Sequence, residues 1–147
     1  MLLPLKFIGT LTAAIFAGAA LYINLVEHPA RMTLDTRAAA MEWAPAYARA
    51  TWMQAPLAVV SFLAGLGAWW SGGGVGWALA ALLIGAVVPV TFLAIMPTNQ
   101  LLLAPGRELA STETRVLLER WAKLHAVRTV LSLAATALYV ALALTSV

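Results

Sequence analysis

The residues best suited to chemistry lie near the C-terminus. Four of them follow one another at spacings of four, three and four residues, on one face of a predicted helix: Trp121, His125, Arg128 and Ser132. An imidazole beside a guanidinium can act as a general base next to a charge that stabilises an oxyanion. Because arginine keeps its proton in proteins, Arg128 needs an anionic partner. Glu27, a bound oxyanion or a lipid phosphate could supply it.

A second group of polar residues follows the first apolar segment. It contains Asn24, Glu27, His28 and Arg31. Asn24 and His28 lie on one face if the helix continues to His28. Pro29 disfavours helical backbone at His28, so we expect this imidazole at a helix end, where its ring is free to change direction. Glu27 and Arg31 are candidate substrate-binding residues, or they anchor the membrane interface by pairing with each other or with headgroups.

A third candidate stands at the end of the third apolar segment. Pro89 and Pro97 lie eight residues apart, and we expect them to kink or end a helix and to free backbone carbonyls. Asn99 follows two residues later. Its amide is expected to form a hydrogen bond in the same pocket.

Three chemistries suit these residues. In the first, His28 and His125 are axial haem ligands in a helix bundle. In the second, the same histidines and Glu27 hold a non-haem metal. In the third, which uses no metal, His125 is a general base, and Arg128 and Asn99 stabilise the oxyanion. The third is favoured because a cation beside the histidine opposes a second positive charge from a metal.

The composition indicates the environment in which these residues work. Of 147 residues, 63% are hydrophobic and 10% are charged, against about 45–50% and 25% in soluble proteins. A soluble domain of this size cannot bury so much apolar surface, so we predict an integral membrane protein. The formal net charge of +3 is no sign of nucleic-acid binding. The lack of cysteine excludes disulfides, thiolate catalysis and cysteine-ligated metals.

Four apolar runs, each about 20 residues long, can cross a bilayer. They occupy about residues 7–28, 52–70, 75–97 and 121–145. Glycine-rich stretch 71–74 predicts a tight turn between the second and third runs, and residues 51–103 carry no charge. The predicted fold is a single all-α transmembrane domain, a four-helix bundle. We expect the polar pocket between the first, third and fourth spans.

The two charged segments, 27–51 and 97–128, are predicted to contain helices. Stretch 35–49 is rich in alanine and has charges at helical spacing, which indicates an amphipathic helix at the interface, acting as a lid or as a contact with a neighbouring molecule. Ser111 or Thr112 can cap a helix that runs into the fourth span. These segments hold all basic residues except Lys6, so positive-inside counting places them in the cytoplasm and both termini outside the inner or plasma membrane.

Three segments together resemble one protein family. They are Glu27–Arg31, Met96–Asn99 and Trp121–Thr129, and in this order they are similar to the anthrone-oxygenase-like family of small four-span membrane proteins. The resemblance covers essentially the whole chain. It implies oxidation of anthrones to anthraquinones by O2, without a metal or organic cofactor, and its matching positions are His28, Asn99, Trp121, His125 and Arg128.

This resemblance agrees with the metal-free chemistry. We therefore expect a membrane-embedded enzyme that oxidises a small hydrophobic anthrone-like or phenol-like substrate with O2. His28 would orient groups or shuttle protons, and Asn24 and Trp121 would contact the substrate. Two alternatives stay open: a haem- or metal-binding redox or sensory protein that uses His28 and His125, and a non-enzymatic transporter or assembly partner. The expected partners are a hydrophobic small molecule, O2 and the lipid bilayer. Assembly into a homo-oligomer is also considered, and nucleic acid is excluded as a partner.

Overall fold

Four long helical segments build the structure. The computed structural model describes residues 1–145, of which 88% are helical and none lies in a strand. We label the segments α1 (Leu2–Arg31), α2 (Thr36–Gly73), α3 (Val75–Leu102) and α4 (Thr112–Leu144). Each is long and apolar enough to cross a membrane. The predicted all-α membrane fold is therefore confirmed.

The four helices form a closed ring in cross-section. α1 packs against α2 and α4, and α3 packs against the same two neighbours. α1 and α3 consequently lie diagonally opposite each other. A site in the interior of this ring can receive side chains from every helix, including α2.

Small residues let the helices approach closely. The Ser61 hydroxyl donates to the carbonyl of Gly9 at 2.9 Å, and the Tyr139 hydroxyl donates to the carbonyl of Ser61 at 3.1 Å. Gly65 lies so close to Tyr139 that an added Cβ would stand 2.0 Å from the hydroxyl oxygen. Because lipid tails give helices no hydrophobic reason to associate, such close packing and hydrogen bonding stabilise this part of the bundle.

α2 corrects one prediction from the sequence. Stretch 35–49 is helical, but it forms the beginning of a continuous α-helix, Thr36–Ala68, and not a separate interfacial helix. Asp35 caps this helix by accepting a hydrogen bond from the N–H of Ala38 at 3.0 Å. Trp43 is buried and packs against α4, so the stretch is a wall of the bundle and not a detached lid.

The helix ends agree with the sequence signals. The Ser111 hydroxyl oxygen accepts a hydrogen bond from the N–H of Thr114 at 3.1 Å, and α4 runs without interruption to Leu144. At the tight turn between α2 and α3, Gly72 and Gly74 have φ angles of +91° and +92°, which residues with a Cβ rarely adopt.

Wide, π-helical turns shape α1 and α3, and they occupy Ile23–Glu27 and Thr91–Ile95. Each is followed by one residue and then a proline. In α1 the N–H of His28 donates to the carbonyl of Ile23, five residues earlier. Proline has no N–H and its ring crowds the preceding turn, so a wider turn accommodates it without ending the helix. His28 keeps helical backbone, with φ −66° and ψ −44°, and the prediction that Pro29 removes it from the helix is wrong.

Candidate active site

Trp121, His125, Arg128 and Ser132 form a polar stripe on α4, and this stripe points into the bundle, as its spacing predicts. Trp121, His125 and Ser132 are 4%, 2% and 0% exposed. The Ser132 hydroxyl donates to the carbonyl of Thr129 at 3.0 Å and so stays within its own helix. Trp121, His125 and Arg128 meet side chains from α1, namely His28, Asn24 and Phe16.

His125 is held in one orientation by Asn24. The Asn24 amide nitrogen donates to the carbonyl of Ala122 at 3.1 Å, which fixes the direction of its amide oxygen. This oxygen lies 2.8 Å from Nδ1 of His125 and accepts a hydrogen bond from the Thr129 hydroxyl at 2.5 Å. An amide oxygen only accepts, so Nδ1 of His125 is the donor. The neutral ring therefore carries its proton on Nδ1 and its lone pair on Nε2.

The Nε2 atom is the free end of the His125 ring. It forms no hydrogen bond within residues 1–145, and the residue lines a small cavity inside the bundle. A lone pair in this position is suited to accept a proton from a bound molecule.

His28 has the opposite tautomer. Its Nδ1 lies 3.2 Å from Nη1 of Arg31, and because a guanidinium only donates, Nδ1 is the acceptor and the ring proton is on Nε2. That Nε2 is buried and has no partner in the described part of the chain. Arg31 also forms ion pairs with Glu27 and Glu42. The pairing of Glu27 with Arg31 is one of the two interpretations that the sequence offered.

Trp121 contacts both imidazole rings. Its ring centroid lies 4.9 Å from that of His125 and 5.4 Å from that of His28. Trp43 packs edge-on against Trp121 at 5.8 Å, and Tyr47 stacks on Trp43 at 5.1 Å. The two histidines therefore share one aromatic wall.

Arg128 forms no ion pair with residues 1–145. Its Nη2 donates to the amide oxygen of Gln54 at 2.8 Å, and its guanidinium carbon lies 5.3 Å from the centre of the Phe16 ring. Its Nε is buried and has no hydrogen-bond partner in this range. Glu27, one partner suggested by the sequence, pairs with Arg31 instead. Arg128 thus has a positive charge without a counter-ion in this range, which suits an anionic oxygen.

Two adjoining cavities meet at Arg128. The first, which His125 and Gln54 line, has a volume of about 10 Å³ and holds about one water molecule. The second has a volume of about 250 Å³ and mostly apolar walls. Arg128, Tyr47 and Thr51 line both cavities. A molecule in the larger cavity would therefore meet Arg128 at the side that leads to His125.

α2 supplies site residues that the sequence analysis missed. The pocket was expected between the first, third and fourth spans, but six residues of α2 line the small cavity: Trp43, Ala46, Tyr47, Ala50, Thr51 and Gln54. Gln54 is a buried polar residue near the start of an apolar run, and polar residues at membrane depth are signals of a site. Thr129 was also missed, although it directly follows Arg128.

Asn99 is buried but lines neither of these two cavities. Neither of its side-chain polar atoms has a hydrogen-bond partner in residues 1–145. It lies on the same face of α3 as Ile95 and Leu102, which belong to the core cluster that contains Trp121. Asn99 therefore lies beside that cluster, and its role toward a substrate stays a prediction.

The three-ligand metal site considered from the sequence is not assembled. Residues 1–145 contain no group of three or more His, Cys, Asp or Glu side chains that could hold a metal ion. Glu27 forms an ion pair with Arg31. Nδ1 of His125 is hydrogen-bonded to Asn24, and Nδ1 of His28 is hydrogen-bonded to Arg31. These residues do not fit a His–His–Glu centre. The expectation that no cofactor is needed stays a prediction.

Comparison with known proteins identifies the family. A family model described as anthrone oxygenase matches residues 43–138, about two thirds of the chain, and the chain belongs to this family. The matched range includes Gln54, Asn99, Trp121, His125 and Arg128 of the site described above. No curated protein and no solved structure matches the chain significantly.

Proposed function

We propose that this protein is a membrane-embedded oxygenase that uses O2 to oxidise a small, flat, hydrophobic anthrone-like substrate. One observation carries the proposal: Asn24 binds Nδ1 of His125 and leaves Nε2 without a partner in residues 1–145, and His125 and Arg128 line the same small cavity. A free base near an unpaired cation suits a substrate whose C–H bond becomes acidic when the negative charge can move to an oxygen. Membership of the anthrone oxygenase family supports the same reaction class.

The first step is removal of a proton. His125 Nε2 takes a proton from the methylene carbon of the anthrone, and the electron pair of that C–H bond spreads into the rings and onto the ketone oxygen. The Arg128 guanidinium stabilises the resulting oxyanion. A planar apolar substrate of this kind partitions into a bilayer, which suits a site among transmembrane helices.

The following steps use O2 as the oxidant. The substrate anion transfers one electron to O2, and the carbon radical and superoxide combine to form the C–O bond of a peroxide. The protonated His125 returns its proton to the terminal peroxide oxygen. Loss of the second hydrogen from the same carbon then breaks the O–O bond, so that one oxygen atom becomes the quinone carbonyl and the other leaves as water.

The roles of His28 and Asn99 follow from their positions. The Trp121 ring contacts both imidazoles. We therefore propose that His28 holds the Trp121 ring in place, and that the Trp121 ring in turn positions the His125 ring. Asn99 lines neither cavity, and for this reason the oxyanion role is assigned to Arg128 alone.

The test is turnover by the purified protein in lipid nanodiscs. With anthrone as the substrate, we expect one O2 consumed for each anthraquinone formed, and one atom of labelled oxygen in each product molecule. His125→Asn keeps a donor for Asn24 but has no base, and it is expected to lower the rate about 10²–10⁴-fold. Lys123→Gln, an exposed change on the same helix, is the matched control and should leave the rate unchanged.

Two results would overturn the proposal. One is a His125→Asn protein that stays folded and turns over at the wild-type rate. The other is a Soret band or stoichiometric iron or copper in the active protein, which would establish the haem or metal alternative.

A further inference from the structure

An apolar groove between α2 and α3 continues outward from the Arg128 cavity. The cavity of about 250 Å³ adjoins another of about 500 Å³, and the two share Ala58, Val59 and Val88 as lining residues. The outer part is further lined by Phe62 and Pro89, among other apolar residues. We call the two cavities together the lateral groove.

We propose that the lateral groove is the entrance from the bilayer and the binding subsite for the ring system of the substrate, an inference that rests on the proposed function. Its inner end is at Arg128, and its outer part is lined by residues from 58–62 and 82–89, which all belong to the uncharged stretch 51–103. A substrate that is dissolved in lipid could therefore reach the guanidinium without crossing the polar ends of the bundle.

α3 is irregular at the level of the groove. The first α-helical part of α3 ends at Gly85, and Ala86 has a ψ of −19° before the helix resumes at Val87. Pro89 has no N–H to donate to the carbonyl one turn earlier. At Gly85, an added Cβ would stand 2.7 Å from Cδ2 of Phe62, so the missing side chain leaves space for the Phe62 ring against α3.

The two ends of the groove define the chemistry of its ligand. The walls shared by the two cavities are aliphatic, and Val59 and Val88 are 48% and 40% exposed, so the middle of the groove faces outward. At the inner end lies Arg128, which forms no ion pair with residues 1–145. A lipid acyl chain would fit the walls but would give this guanidinium no acceptor. The ligand that satisfies both ends has a flat apolar body and an anionic or polarised oxygen at one edge.

The volume agrees with such a ligand. About 250 Å³ is close to the lower limit of about 300–1,000 Å³ for small-molecule sites. The adjoining outer cavity gives further room for an apolar substituent. We therefore expect an apolar extension on the outer ring that faces this cavity to be accepted, and a charged extension at that position to be rejected.

The test places bulk in the groove and uses a neighbouring valine as a control. Val59→Trp narrows the groove, whereas Val60 is similarly exposed and lines neither part of it. Binding of anthracene-9-carboxylate, which has an apolar three-ring body, a carboxylate and no methylene group to oxidise, is measured by its fluorescence anisotropy in nanodiscs. We expect Val59→Trp to weaken binding about tenfold or more, and Val60→Trp to change it by less than about twofold. Arg128→Gln should also weaken binding, because it removes the charge that faces the carboxylate.

Each outcome bears on the groove separately from the reaction. Wild-type protein that does not bind the probe, or Val59→Trp and Val60→Trp proteins with equal affinities, would contradict the groove. If Val59→Trp does not fold, Val88→Phe on the facing helix replaces it, with the same expected loss. Binding that follows this pattern without any oxidation of anthrone would support the groove and contradict the proposed function. Oxidation of anthrone with equal kcat/KM by the Val59→Trp and Val60→Trp proteins would support the proposed function and contradict the groove.

Discussion

The orientation of His125 by Asn24 gives the sharpest test of the site. Asn24→Ala removes three hydrogen bonds: one from Nδ1 of His125, one from the Thr129 hydroxyl and one to the carbonyl of Ala122. The His125 ring then has no acceptor that holds its proton on Nδ1. We expect a mixture of tautomers and ring orientations, in which the Nε2 lone pair is available only part of the time.

The size of the effect follows from the lost hydrogen bond. If the bond to Asn24 favours the active tautomer by about 1–3 kcal/mol, the ratio of active to inactive tautomer should fall about 5- to 150-fold in Asn24→Ala, and this factor is the upper limit of the fall in kcat. Asn24→Asp retains an acceptor for both His125 and Thr129, so it should lose much less. Thr129→Val removes one hydroxyl from the network but leaves the hydrogen bond between His125 and Asn24. Thr136→Val is its matched control, since the Thr136 hydroxyl donates to the Ser132 carbonyl of its own helix.

Nitrogen NMR reads the tautomers directly. The chain contains two histidines, so a sample labelled with ¹⁵N-histidine gives two sets of imidazole nitrogen signals. Substitution of either histidine assigns the two sets. We expect the proton on Nδ1 in His125 and on Nε2 in His28, and we expect the His125 pattern to become mixed in Asn24→Ala. Identical tautomers in the two rings, or an unchanged His125 pattern together with unchanged kcat in Asn24→Ala, would refute the reasoning.

Further predictions concern the fold and its placement in the membrane. Gly65→Ala places a Cβ against the Tyr139 hydroxyl and should lower stability by about 1–3 kcal/mol, seen as a lower midpoint of thermal unfolding in detergent; Gly18→Ala, where nothing lies within 4 Å of the added Cβ, should raise it by up to about 1 kcal/mol. The cysteine-free chain also allows a topology test. Positive-inside counting predicts that the turn at Ser71 lies outside and that the loop at Ala110 lies in the cytoplasm. In intact cells, an impermeant maleimide should therefore label Ser71→Cys and should fail to label Ala110→Cys until the cells are lysed. The reverse pattern would contradict the positive-inside assignment.

Much of the fold could be predicted because membrane helices depend on few rules. An apolar run long enough to cross a bilayer has to become a helix, since lipid leaves its backbone groups no other partner. The inward direction of Trp121, His125 and Ser132 follows for the same reason. The length of α2 could not be predicted in this way. The alanine-rich start of α2 has no apolar run of its own, and its burial depends on Trp43 meeting Trp121.

The details of the site depend on contacts between helices, which spacing along one helix does not reveal. Asn24 and Arg128 were both identified as candidates, but the sequence does not show that Asn24 binds His125 or that Gln54 binds Arg128. Likewise, Pro29 suggested a helix end at His28. The widened turn before it keeps the helix intact, and the sequence does not distinguish between these two backbone responses to proline.

The most direct test of the central claim separates the base from the oxidant. Wild-type protein and anthrone are mixed in D2O without O2, and exchange of the methylene hydrogens is followed by NMR. If His125 Nε2 removes this proton, the wild-type protein will catalyse exchange without forming a quinone, and His125→Asn will reduce the exchange to the uncatalysed rate. Anthrone oxidation in air by a protein that catalyses no exchange, or exchange that persists in His125→Asn, would contradict the assignment of His125 as the base.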